Sequence, residues 1–261
     1  MRHILFFTLL LSVVFSSSCL AAAPRVLFDQ GHGQAFTIEK EGELQLGQLA
    51  EQFRVDGWQV AAMNHPLSSE LLAGVDALII SGAFKPLSET EINAIGGFLN
   101  NGGRLAVMLH IAPPLVPLLG KLGVASANGV VREGDESLIL DGEALNFKVS
   151  KLTPHPLTKG LTSFSIYGSW PLLPVSEIAQ TIASTSATAW VDLNKDKLLS
   201  LKDAMQEFGV LVTGKVGEGE FAVFADDAIF QNRFLKGDNN KLAENLSRWM
   251  MQGKAKSGID I

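Results

Sequence analysis

The chain has 261 residues, 47% hydrophobic and 18% charged, with 25 glycines and 10 prolines. That composition excludes a disordered, collagen-like or coiled-coil protein, and the length allows a core that needs no disulfide or metal staple. The 27 acidic and 21 basic side chains leave a net charge of −6, and no Lys/Arg cluster offsets it, which argues against a nucleic-acid partner.

The first element is an export signal. Arg2 supplies a positive start, Ile4 to Phe15 is almost wholly apolar, and Ser16 to Ala23 is rich in small residues, the layout of a secretory signal over residues 1–23. The apolar run is shorter than the ~20 residues that span a bilayer, so no transmembrane segment is expected in the mature chain. Cleavage fits after Ala21 or Ala22, since a cut after Ala23 would place Pro24 beyond the scissile bond, and the mature protein is expected in the periplasm. The single cysteine, Cys19, offers lipid anchoring as the alternative, although Ser16 stands where a lipid-acceptor motif takes an aliphatic residue. Without Cys19 the mature chain has neither a disulfide nor a thiol nucleophile.

Arg25 to Phe28 is a short apolar run ending at Asp29, Glu43 to Asp56 carries Leu46, Leu49 and Phe53 at helical spacing, and Trp58 to Met63 is strand-like again. Val75 to Ser81 is apolar almost throughout, as a strand covered on both faces would be. Ser88 and Glu91 form a capping box for a helix to Asn101 with its stripe at Ile92, Ile95 and Leu99, stopped by Gly102 and Gly103. Arg104 to Leu109 predicts the next strand and Pro113 to Leu122 a short helix. The alternation predicts an α/β fold with a doubly wound, mostly parallel sheet flanked by helices. From Val130 to Trp190 the pattern changes to short β-like runs, among them Ser137 to Leu140, Asn146 to Val149 and Gln180 to Ala183, so a β-rich segment is added in the second half. Glu207 to Val216 and Gly219 to Ala225 predict a hairpin around Gly217, and Asn239 to Met251 an amphipathic helix with Leu242, Leu246 and Trp249. One domain over residues 24–252 is expected, followed by a polar tail over 253–261.

Several segments carry a family resemblance: VLFDQGHGQ (Val26 to Gln34), DALIISGAFKPLSETEINAIGGFLNNGGRL (Asp76 to Leu105), HPLTKGL (His155 to Leu161) and FADDAIFQNRFLKGDNNKLAENLSRWM (Phe224 to Met250). Together they resemble the DUF4350 family, within the class I glutamine amidotransferase-like superfamily, a flavodoxin-like scaffold. The resemblance implies a fold shared with auxiliary subunits of gliding-motility-type ABC transporters and with an intraflagellar transport protein. In catalytic amidotransferases a cysteine nucleophile sits at a strand-to-helix elbow. The matching turn here is Leu109-His110-Ile111-Ala112, with no cysteine and with Pro113 and Pro114 in place of small glycines, so the resemblance implies a scaffold whose original active site is lost.

A parallel sheet would bring Asp29, His32 and Gln34, which follow the first strand, to one carboxyl-end edge with His110, Asp226 and Asp227, where α/β folds form ligand crevices. Their functional reading is a polar pocket for a small ligand; the competing one is helix capping and loop closure. Gly31 and Gly33 do not fit a phosphate-binding glycine pattern. Asp192, Asn194, Asp196, Ser200 and Asp203, with the Leu198 carbonyl, have the spacing of a calcium loop, with Leu199 at its inward apolar position; Lys197 replaces the turn glycine and Asp203 the usual glutamate. No cofactor is required; calcium is the cation this spacing would take. His65-Pro66 and His155-Pro156 read as loop-shaping steps, and Tyr167, Trp170 and Trp190 as core aromatics, with a sugar-binding platform as the alternative. Gly168-Ser169-Trp170-Pro171 fails the G-x-S-x-G elbow at its second glycine. The function expected is an exported, non-catalytic binding or assembly module with a small ligand or a protein partner, set beside a transport system. The alternative is a hydrolase or lyase using Asp29, His32 and His110.

Overall fold

The computed structural model describes residues 22–194 and 196–253. The predicted signal over 1–23, except its last two residues, lies outside them, as do Cys19, Lys195 and all of the predicted tail after Gly253. In chain order the elements are β1 (Arg25–Asp29), α1 (Gly47–Val55), β2 (Gln59–Met63), α2 (Ser69–Ala73), β3 (Ala77–Ser81), α3 (Glu89–Asn100), β4 (Arg104–Met108), α4 (Val116–Lys121) and β5 (Val124–Ser126). There follow β6 (Val131–Arg132), β7 (Ile139–Leu140), β8 (Glu143–Val149), β9 (Lys151–Leu152), β10 (Phe164–Tyr167), β11 (Leu172–Pro174), β12 (Ala179–Ser184), β13 (Trp190–Val191), β14 (Ala204–Met205), β15 (Gly209–Val216), β16 (Gly219–Phe224) and α5 (Asp238–Met251).

The main sheet has the order β2-β1-β3-β4-β16-β15-β11-β5, with β12 beside β15 and β9 beside β12. Its first five strands are parallel and the rest antiparallel. The mixed α/β architecture with a parallel centre therefore matches the sequence expectation. Two small antiparallel sheets, β10-β8-β7 and β14-β13-β6, form the β-rich addition of the second half.

The central strands follow from their composition. All five residues of β3 and of β4 are buried, so neither strand shows the alternation of a half-exposed sheet, and helices must cover both faces. The helices pack in pairs, α1 with α5 and α2 with α3. The predicted capping box starts α3: Ser88 Oγ accepts from the Glu91 amide at 3.3 Å while the Ser88 amide donates to Glu91 Oε2 at 2.9 Å. Periodicity gave no hint of α2, which at five residues spans little more than one turn; Ser68 caps it by accepting from the Leu71 amide. The hairpin lies where it was predicted: Gly217 turns it with φ 58°, a left-handed backbone at which a side chain would also strike Asn100. Since β16 is parallel to β4 and antiparallel to β15, this hairpin joins the antiparallel wing to the parallel core. At the amino ends of the same strands Arg104 pairs with Glu220 and lies over the Trp249 ring of α5, 5.2 Å from its centre, and the Trp249 indole donates to Glu220. Among the described residues no helix is long and apolar enough to cross a membrane.

Replacing Ser88 with alanine removes the cap of α3 and should cost about 1–2 kcal/mol. A urea titration should show a lower midpoint with an unchanged slope.

Candidate functional site

The parallel register ends β1, β3, β4 and β16 within one residue of a common level, so the loops that follow meet at one edge. The six candidate residues all stand there, but they separate into two hydrogen-bonded groups.

The first group fills the space after β1. His32 donates or accepts through Nδ1 with Asp29 Oδ2 at 2.8 Å and through Nε2 with Glu91 Oε1 at 2.9 Å. The Gln34 amide donates to the same Asp29 oxygen at 2.7 Å and its carbonyl accepts the His32 amide at 2.7 Å. Asp29 Oδ1 accepts the Gly31 amide. Asp29, His32, Gln34 and Glu91 are all buried. The His32 carbonyl also accepts both the Phe84 and Lys85 amides at 2.9 Å, stitching the loop after β1 to the loop after β3. A dinucleotide or phosphate ligand in this class of fold enters between such loops; here the chain's own side chains occupy the place.

The second group joins β4 to β16. His110 Nδ1 lies 3.0 Å from Asp227 Oδ1, while Asp227 Oδ2 is buried and without a hydrogen-bond partner among the described residues. Gly82, at φ 59°, makes room for that carboxylate, since a Cβ there would lie 2.7 Å from Oδ2. The His110 side chain is 37% exposed, with the Phe36 and Phe84 rings 5.1 and 5.2 Å from its own, and its carbonyl accepts the Trp170 indole. Behind it Asp226 is fully enclosed and accepts the Tyr167 amide at 2.7 Å and the Ala228 amide at 2.8 Å.

A family model described as DUF4350, a domain of unknown function, matches residues 38–247. The chain belongs to the DUF4350 family. No curated protein matches it. Among solved structures it is similar in fold to the mmIFT52 N-terminal domain (19% identity, 88% of this chain and 98% of that one, TM-score 0.70). It is likewise similar to a cytoplasmic protein from Salmonella typhimurium (15%, 87% and 99%, 0.59). A putative ThuA-like protein from Parabacteroides merdae gives 12%, 91% and 93%, with a TM-score of 0.54.

The other sequence-predicted residues of this DUF4350 chain fall elsewhere. His155 shapes its loop as expected: its Nδ1 accepts the Leu157 amide at 3.1 Å and burial holds the ring below the ordinary histidine range. Two clefts of ≈ 510 and ≈ 530 Å³ share His155 in their lining, and none of the six edge residues lines either. Tyr167 stacks on Phe234, Trp190 carries Arg132 and Trp170 serves His110, so the aromatics form no common platform. Ser169 is fully buried and donates to the Trp170 carbonyl. The loop at 192–203 connects β13 to β14. Leu199, expected to point inward, is 48% exposed, because the two-residue strands behind it offer no core. Sequence reasoning missed Glu91 as the partner of His32, having assigned it only to the cap; it serves both. It also missed Phe36 and Phe84, for which no sequence signal exists.

The charges of the two groups follow from their partners. The hydrogen bond to Asp29 raises the His32 imidazole above its ordinary value of 6.5, against burial, with Glu91 adding to the rise. Burial opposes ionisation of Glu91, but the bonds from Ser88 and Leu67 and the charge of His32 prevail and hold it low. The hydrogen bond to Asp227 raises His110 likewise. Burial, with Asp227 beside it, pushes Asp226 up to about 8.

His32 binds its proton more tightly folded than unfolded, so its contribution is complete below 6.5 and fades as pH rises through its raised value. Asp226 keeps a proton when folded that the unfolded chain releases, so it too makes stability fall as pH climbs towards about 8. The melting temperature should therefore drop between about pH 6 and pH 8, and Asp226→Asn should flatten that drop. His32→Gln leaves two buried carboxylates facing each other and should cost about 3 kcal/mol in a urea titration at pH 6.

Proposed function

We propose that this DUF4350 chain is an exported, non-catalytic domain of the glutamine amidotransferase-like type, acting in the periplasm of a Gram-negative bacterium as a binding or assembly module beside a transport system. The filling of the crevice after β1 by the chain's own side chains carries the reading. Where a catalytic scaffold would present a cysteine after β4, His110 stands bonded to Asp227, and the crevice after β1 is filled by a histidine whose two ring nitrogens both face carboxylates. A nucleophile needs a free, activated atom, and His32 has none to give. The doubly wound reading is supported by the strand order and the right-handed crossover rule: β1 to β2 runs one way along the sheet and β2 to β3 to β4 the other, which sends α1 to one face and α2 and α3 to the opposite one.

The hydrolase or lyase alternative required Asp29, His32 and His110 to act together. Asp29 and His32 are within hydrogen-bond reach, but His110 belongs to a different pair, so an acid–base reading would rest on His110 and Asp227 alone. Purified protein should release no ammonia from glutamine; turnover above a heat-killed control that His110→Ala abolishes would overturn the non-catalytic reading.

Export is supported by the charged start, the apolar run and the small residues that precede Pro24. N-terminal sequencing of the periplasmic fraction should find a chain beginning within a few residues of Ala23. An intact Met1 in the cytoplasm would overturn this, and a diacylated Cys19 would instead place the protein at a membrane surface.

A further inference from the structure

We infer that the cleft walled by His155, beside the start of β16, binds a small uncharged sugar or polyol through His155, Glu177, Gln180, Thr213, Lys215 and Glu220. The cleft holds ≈ 530 Å³, and a second of ≈ 510 Å³ shares the same imidazole in its wall; both fall within the roughly 300–1,000 Å³ of small-ligand sites. The site lies at the opposite end of the parallel strands from the filled crevice after β1 and does not depend on it.

The wall is fixed before any ligand arrives. The His155 amide donates to Thr158 Oγ1 at 3.0 Å, that hydroxyl donates to the Thr153 carbonyl at 2.7 Å, and Asn245 Nδ2 of α5 donates to the Leu157 and Lys159 carbonyls at 2.9 Å. The imidazole itself packs 6.4 Å from the Trp249 ring. Because Nδ1 accepts the Leu157 amide, and burial keeps the ring neutral, the ring proton sits on Nε2. That nitrogen has no hydrogen-bond partner among the described residues and is not sealed from solvent. His155 therefore offers the cleft an N–H that the chain does not use.

A second observation comes from the floor. Thr213 lines the cleft, is 3% exposed, and its Oγ1 is buried without a hydrogen-bond partner among the described residues. A hydroxyl left that way costs free energy until a partner meets it. Register sets Thr213 opposite Gln180 of β12 and Lys215 opposite Glu220 of β16. By strand alternation the four side chains rise from one face of the sheet, the face on which Trp249 of α5 meets Glu220. Gln180 and Lys215 are exposed, and a change of their rotamers uncovers the hydroxyl beside them.

The ligand class follows from the charges. Glu220 is paired with Arg104, and Lys215 and Glu177 offset each other, so the lining has no net charge with which to select an ion. It sets donor-only groups, the His155 N–H and the Lys215 ammonium, beside acceptor-only carboxylates. A hydroxyl both donates and accepts, so a ligand made of hydroxyls can meet every one of them. No phenyl or indole ring lines the cleft among the described residues, and affinity that rests on hydrogen bonds is weak, with Kd on the order of 10⁻³ M.

The test is saturation-transfer NMR and calorimetry on the mature chain with glucose, mannose, N-acetylglucosamine and glycerol, with glycylglycine and inorganic phosphate as charged controls. At least one of the four polyols should bind saturably and the controls should not. Thr213→Val removes the hydroxyl at nearly constant volume; it should melt higher without ligand, since an unpaired buried group is gone, and bind about fivefold more weakly. His155→Asn keeps an oxygen that can accept the Leu157 amide but cannot reach the ligand, so it should melt close to wild type and weaken binding by a similar factor. Saturable binding by none of the four, tighter binding of glycylglycine or phosphate, or an affinity that either substitution leaves unchanged would overturn the site.

Discussion

An imidazole held between two buried carboxylates ties the loop after the first strand to the third helix, and the rest of the carboxyl edge is arranged around it. Asp29 and Glu91 lie far apart in sequence and would each oppose burial as an isolated charge. With His32 between them both are paired and hydrogen-bonded; Gln34 and Leu67 donate to the same two oxygens as His32, and the remaining two accept the Gly31 and Ser88 amides. Pairing of this kind adds little net energy over an apolar core, but it is expensive to break and admits one geometry. That geometry sets where the His32 carbonyl stands, and with it the Phe84 and Lys85 amides that complete the loop after β3.

The functional consequence is that the crevice an α/β sheet usually offers to a ligand is used for internal structure. What the edge still presents is His110, rigidly oriented by Asp227 and flanked by the Phe36 and Phe84 rings. Asp226 contributes to this rigidity as a neutral acid: enclosed on every side, it anchors the end of β10 and the turn after β16 through two backbone amides. A proton held where water cannot reach costs less than a second negative charge beside Asp227.

The second constraint is the β15–β16 hairpin. A parallel core built from strand–helix–strand units extends by crossovers, whereas the antiparallel wing extends by short turns. β16 does both, lying parallel to β4 and antiparallel to β15. Of the small sheets, β10-β8-β7 reaches the carboxyl edge, where the Tyr167 amide at the end of β10 donates to Asp226.

Much of the framework was determined by the sequence alone. The unbroken apolar run of β3, the Ser88–Glu91 box and the turn at Gly217 are local signals whose physics acts within a few residues, and each element stands where its signal placed it. The carboxyl-edge position of Asp29, His32, His110, Asp226 and Asp227 was equally readable, because parallel register follows from the alternation of strands and helices. Which of those residues touch was decided only in three dimensions. His32 meets Glu91 at a sequence separation of 59 and His110 meets Asp227 at 117, and no local pattern encodes a pairing that depends on how β1, α3, β4 and β16 pack. The same holds for the exposure of Leu199, where the spacing asked for a core that two-residue strands do not supply. Local chemistry sets the elements; burial and packing choose their partners, since only the folded chain removes the water that would otherwise satisfy each charge.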